Sequence, residues 1–145
     1  MLETVAAFFG TIAFSLLFGV PARYDLLCGL SGMMGWIVYS LLTGFAGLSP
    51  AMATLGGALV VTLLSRFLSV PMKCPATVFL ITGIFPLVPG AGIYWTSYYI
   101  VTGQLSQALS SGFSALKVAV ALVLGIVFVF EIPERFFHRF TVPRR

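Results

Sequence analysis

The stretch CPATVFLITGIFPLVPGAGIYWTSYYIVTG, residues 74–103, decides how this chain is read. It carries no Asp, Glu, Lys or Arg, yet Gly83, Pro86, Pro89, Gly90 and Gly92 interrupt its middle. Each internal proline removes a backbone hydrogen bond, and its ring clashes with the carbonyl one turn back. Two prolines three apart, flanked by glycines, predict a break in a hydrophobic helix rather than a gentle bend. The lengths fit a break: about ten residues before it and about twelve after span ~15 and ~18 Å, together one bilayer. Irregular backbone at that depth survives where it is buried in protein or lines a wet cavity. Discontinuous helices are the recurring design of substrate sites in secondary transporters, with a packed proline kink as the plainer alternative.

The rest of the chain confirms that its solvent is lipid. Of 145 residues, 59% are apolar and 8% charged, against roughly half and a quarter in typical globular chains. With 8 Lys+Arg and 4 Asp+Glu, the charges are too few to solvate a water-facing surface, and the mean hydropathy is +1.07. A soluble domain and a disordered chain are both excluded. Nucleic acid is not an expected partner despite a pI near 9.4, because the basic residues are scattered rather than clustered with aromatics. Charge-free stretches at 4–22, 26–65 and 74–116 set the span count. A crossing takes about 20 residues, so the first holds one span and the other two fold back. Gly44, Gly47, Ser49 and Pro50 mark one turn; Gly103, Gln104 and Ser106 mark the other. The reading is an all-α polytopic membrane protein with five transmembrane helices, near 3–20, 26–43, 50–68, 76–102 and 108–130. Residues 1–131 form the membrane domain. The leader Met1-Leu2-Glu3 lacks the basic start of a signal peptide, so the first span is expected to stay in the mature protein.

Orientation follows from the positive residues. Arg23, Lys73, Arg135, Arg139, Arg144 and Arg145 follow the first, third and fifth helices, and Arg66 ends the third. The other connections carry none, which predicts an inner-membrane protein with its N-terminus outside and its C-terminus cytoplasmic. Trp36, Tyr39, Trp95, Tyr98 and Tyr99 then read as an outer aromatic belt, with a substrate cage as the alternative. VPAR at 20–23, VPMK at 70–73 and VPRR at 142–145 punctuate the cytoplasmic side, and a duplicated hairpin is the other explanation of this repeat. The tail at 132–145 places Phe136, Phe137 and Phe140 opposite Arg135, His138 and Arg139, a basic amphipathic helix for the membrane surface or a partner.

Small residues recur at packing spacings: Gly29, Gly32 and Gly35 in the second helix, with Ser31–Gly35 and Ala53–Gly57 as small-xxx-small pairs. Enzyme chemistry has little to work with. His138 is the single histidine and lies in the tail, so no Ser–His–acid set assembles within the membrane. Cys28, Cys74 and His138 make an incomplete metal set, and no cofactor is expected. The acids Glu3, Asp25, Glu131 and Glu134 fall at interfaces or in the tail. Lys117 is the one ionisable residue expected well inside a span, ~14 Å deep and level with Pro89 and Gly90. There the half-helix starting at Ala91 offers free amides with partial positive charge. A substrate carboxylate between that helix end and the ammonium would relieve the repulsion. Snorkelling to the outer interface and pairing with a partner chain are the alternatives.

The segment PATVFLITGIFPLVPGAGIYWTSYYIVTG, followed by ALSSGFSALKVAVALVLGIVF, resembles the C-terminal-type membrane domain of the threonine/serine exporter family. The similarity runs from about residue 1 to residue 131, and its specific part is GIFPLVPGAGIY at 83–94. The resemblance implies a five-helix domain of an inner-membrane exporter of small amino acids or dicarboxylates, driven by the proton motive force. It also implies a partner: this chain looks like the shorter unit of a split exporter whose second membrane subunit is longer. The expected substrate-binding residues are Gly83, Pro86, Pro89, Gly90, Gly92, Tyr94 and Lys117. A small homo-oligomeric transporter and a non-transporting scaffold or channel subunit are the competing functions.

Overall fold

The structure is a computed structural model and describes residues 2–133. The expected surface helix at 132–145 lies, beyond its first two residues, outside the described residues. Among the described residues six α-helices follow in order: α1 (Leu2–Leu17), α2 (Asp25–Gly44), α3 (Pro50–Met72), α4 (Thr77–Gly83), α5 (Gly90–Val101) and α6 (Leu105–Phe130). Short 3-10 turns at Ala22–Tyr24 and Phe85–Leu87 lead into α2 and α5.

The helix boundaries have local causes. Ser49 accepts the Met52 amide and Pro50 opens the helix, so α3 starts at a side-chain cap. It runs through Pro71 to Met72, four residues beyond the expected end, and closes with Lys73 in the left-handed conformation. The tight turns at Gly47 (φ +60°) and Gly103 (φ +74°) adopt backbone that side chains disfavour, which is why glycine stands there. The expected fourth helix is divided. Its halves, Thr77–Leu87 and Gly90–Val101, meet at 53°.

Three segments, Ala22–Gly44, Pro50–Met72 and Leu105–Phe130, are long and apolar enough to cross a bilayer alone, and the bent pair makes a fourth if it is one span. The 16 residues of α1 rise ~24 Å, short of the ~30 Å hydrocarbon core. By length, α1 counts as a shorter apolar helix, so the lengths support three or four spans rather than the expected five.

Small residues set the helix spacing. A Cβ added to Gly57 would lie 3.0 Å from the Gly35 carbonyl oxygen, so α2 and α3 cross backbone to backbone there. Gly32 leaves no room beside Thr11 of α1, and Gly125 of α6 sits against Ala58 and the Leu55 carbonyl of α3. One member of each predicted small-xxx-small pair, Gly35 and Gly57, meets at this crossing, while Ser31 lies against Gly83 of α4. The core around these crossings holds Ala58, Val61, Leu80, Leu87 and Leu122.

One charged side chain is built into this packing. Arg66, 7% exposed, reaches from α3 to the end of α6. Its Nη1 donates to the carbonyls of Val129 (2.8 Å), Phe130 (3.2 Å) and Ile132 (2.7 Å). Phe130 ends α6 and Ile132 lies just beyond it, while the Val129 carbonyl also accepts the Ile132 amide at 3.1 Å; the guanidinium complements the negative end of the helix dipole. Arg66 and Gly125 together show that α3 and α6 run parallel. At the same end, Tyr24 donates to the Met72 carbonyl at 3.3 Å, bringing Arg23 and Lys73 to one pole of the bundle.

Candidate functional site

The break between α4 and α5 is held on two sides. Phe85 stacks on Phe14 of α1 with ring centroids 3.8 Å apart. Leu87, 4% exposed, is pressed into the α2–α3 crossing beside Gly57. The chain then turns at Pro89 (φ −75°, ψ 53°), closed by a 2.7 Å bond from the Gly90 amide to the Val88 carbonyl. These are the angles and the bond of an inverse γ-turn. The Ile93 amide donates to the Pro89 carbonyl at 3.1 Å, the first helical bond of α5. The amides of Ala91 and Gly92 precede any acceptor in the helix, and Pro89 supplies no side-chain cap.

A cavity of about 370 Å³ opens at this break. Its walls are Trp36 and Tyr39 of α2, Thr54 of α3, the segment 86–92, and Ser114, Ala115 and Val118 of α6. The volume lies within the range of small-molecule sites. None of the lining side chains is charged. The hydroxyl of Thr54 donates to the Pro50 carbonyl at 2.7 Å, and the Trp36 indole nitrogen is buried without a hydrogen-bond partner. Such a wall favours a small polar guest held by dipoles rather than by ion pairs. Among the described residues, no three His, Cys, Asp or Glu side chains come together to hold a metal ion.

The residues singled out from sequence fall into three groups. Pro86, Pro89, Gly90 and Gly92 all line the cavity. Gly83 lies below it, where an added Cβ would come 2.8 Å from the Ser31 hydroxyl and 2.9 Å from Val61; it is a close-packing position of α4 against α2 and α3. Tyr94 and Lys117 lie outside. Tyr94 is 62% exposed and packs edge-on against Trp95 at 5.3 Å. Lys117 is exposed, its Nζ 5.2 Å from the centre of the Phe113 ring. Its level is as expected, since Pro89 shares a groove with Leu116 and Ala119. Because α6 begins at Leu105, Lys117 stands ~18 Å along the helix rather than ~14 Å. The parallel register also sets it level with the first turn of α3. Gly125 faces Ala58, and Lys117 and Pro50 each lie eight residues before those positions.

Sequence reasoning missed Thr54 and Ser114, and had Trp36 and Tyr39 only as part of a substrate cage offered as the alternative to the belt. The five aromatic residues expected in one belt are divided: Trp36 and Tyr39, 5.1 Å apart, line the cavity, while Trp95, Tyr98 and Tyr99 cluster on exposed α5. The three-residue spacing of Trp36 and Tyr39 put them on one helix face; nothing in the sequence said that this face meets the break.

Comparison with known proteins agrees with the architecture. The profile of the threonine/serine exporter family ThrE matches residues 3–132. A probable threonine/serine exporter of Mycobacterium tuberculosis is 30% identical over 110 residues, covering 72% of this chain and 21% of that protein. The chain thus spans about a fifth of the length of the curated relative it matches. No solved structure matches it. With the family profile covering nearly the whole chain and all the helices that build the cavity, this multi-pass membrane protein belongs to the threonine/serine exporter family.

Proposed function

We propose that this chain is the smaller membrane unit of an exporter of threonine, serine or related small carboxylates, and that it works with a second, longer membrane subunit of the same family. The observation that carries the reading is the cavity at the helix break, lined by Pro86, Pro89, Gly90 and Gly92 and floored by the uncapped start of α5. A half-helix that ends at a cavity turns free amides and the positive end of its dipole toward a guest, which suits a carboxylate. The family and the name of the mycobacterial relative point to transport rather than catalysis.

Two observations support a second subunit. The matched region makes up 21% of the mycobacterial protein, leaving ample chain there for a second membrane unit. No residue of α5 is buried, and α5 packs mainly along α6, so the α5–α6 hairpin is half-finished as a wall of any enclosed path. The described acids Glu3, Asp25 and Glu131 stand at helix ends, so a proton carrier within the membrane falls to the partner. Arg23 and Lys73 at one pole are consistent with that pole facing the cytoplasm, the N-terminus outside and the chain in the inner membrane. The test is release of serine, threonine and succinate from loaded cells with and without the longer subunit. Release by the pair and not by either chain alone is expected. Robust release by this chain alone refutes the division of labour, and no release by the pair refutes the exporter reading.

A further inference from the structure

The face of α6 that packs on α3 continues past the end of α3. Ala121, Gly125 and Val129 are buried, and Gly125 sits against Ala58 and the Leu55 carbonyl. Ser114 lies seven residues before Ala121, Ser111 fourteen before Gly125 and Gln107 eighteen before it. Those are about two, four and five helical turns, so all three lie on the same face. Because α3 begins at Pro50, level with Lys117, this upper part of the face has no helix on it among the described residues. Gln107 and Ser114 are exposed and Ser111 is half-buried, and their side chains make no hydrogen bond among the described residues.

The back of the same helix is the opposite in character. Leu105, Leu109 and Leu116 are all exposed and apolar. A helix that is apolar behind and polar in front belongs in lipid, with its front against protein. The α5 helix runs back along this stretch, where Gly92 meets Ala115 and Thr96 meets Gly112. The α5–α6 arm therefore rises ~18 Å past the α2–α3 turn. With the arm in lipid, the turn at 45–49 lies at membrane depth, where irregular backbone needs protein around it. One helix set in line with α3, above Pro50, covers both the polar face and the turn.

We infer that the N-terminal half of α6 is a docking face for a membrane helix of the longer subunit, which continues the line of α3. The inference rests on the two-subunit reading and names the surface on which the subunits meet. Small hydroxyl residues let helix backbones approach closely in lipid and hydrogen-bond across the contact, and Gln107 adds an amide. Charge speaks for a different chain rather than a second copy. Lys117, three residues after Ser114, borders the face and has no carboxylate partner among the described residues. Two copies meeting here would set two ammonium groups at one level across the contact, whereas a partner with an acid there is attracted. The matched unit makes up 21% of the mycobacterial relative, which leaves ample chain there for such a helix.

The test is photo-cross-linking in cells that carry this chain, tagged, together with the longer subunit. Benzoylphenylalanine in place of Gln107 should give an adduct with the longer subunit, and in place of Leu109 none. An adduct between two copies of this chain, equal adducts from both positions, or none from Gln107 overturns the assignment. Ser111→Trp fills the face and should cut the longer subunit recovered with the tag ~10-fold, in the range that overpacking produces. Leu109→Trp, on the lipid side, should change recovery by less than about twofold. Unchanged recovery with Ser111→Trp overturns the docking face; if that variant is lost from the membrane, the Gln107 adduct decides. Failure of the wild-type chains to co-purify refutes the two-subunit reading and the docking face with it. Co-purification without the Gln107 adduct removes the docking face alone.

Discussion

Replacing glycine by alanine should have opposite effects at two helical positions, and the structure gives the sign of each. At Gly125 the new Cβ would lie 2.7 Å from the Ala58 Cβ, 3.0 Å from the Leu55 carbonyl oxygen and 3.3 Å from the Leu59 amide nitrogen. None of these atoms is the end of a flexible side chain. Carbon atoms rest about 3.5–4.0 Å apart, so α6 must move ~1 Å away from α3. Overpacking of this kind costs about 1–3 kcal/mol, and a rigid neighbour on every side calls for the upper figure. Alanine returns about 1 kcal/mol as the better helix former, leaving a net loss of about 2 kcal/mol. At Gly10 of α1 an added Cβ meets nothing within 4 Å, so the helical gain of about 1 kcal/mol stands alone. The two variants should therefore differ by about 3 kcal/mol, or roughly 10 °C in midpoint for a chain of this size. The assay is thermal unfolding in detergent, followed by a thiol-reactive dye in a Cys74→Ser background. Cys28 is fully buried and reports loss of the fold. Gly125→Ala should melt below wild type and Gly10→Ala at or above it. A Gly125→Ala protein as stable as wild type would refute the close α3–α6 approach, and with it the position of the α6 wall of the cavity.

Two further outcomes are expected. Single-cysteine probes at Gly47 or Gln104 should label from outside intact cells and probes at Met72 or Pro143 should not; the reverse pattern would invert the orientation. Lys117→Met should leave the KM for serine within about twofold, because Nζ sits over Phe113 outside the cavity; a large rise in KM, reversed in Lys117→Arg, would return Lys117 to the substrate.

The break was legible in the sequence because its causes are local. Pro86 and Pro89 lack amides wherever they stand, and Gly47 and Gly103 mark turns by a backbone preference that needs no tertiary context. The packing faces were legible for a related reason: a small residue every four positions defines a stripe before its partner is known, and Gly35 and Gly57 do meet. What depended on distant chain was hidden. Arg66 looked like an interfacial cation, yet it is buried against carbonyls 63 to 66 residues away, to which its Nη1 donates. Trp36 and Tyr39 looked like a belt because the rotation of α2 about its axis, which turns them to the break, is set by the Gly35–Gly57 crossing. The level of Lys117 followed from helix arithmetic. The direction of its side chain depends on which face of α6 meets α3, and that information lies in Ala58 and Leu55.

The most direct test of the account is serine export by the Pro86→Ala, Pro89→Ala double variant with the longer subunit present. The two alanines restore the missing amides and permit a continuous helix through residues 84–90, which closes the turn that floors the cavity. The account predicts normal membrane abundance and loss of export. Export at the wild-type rate would mean that the break is a packing feature and that the substrate passes elsewhere.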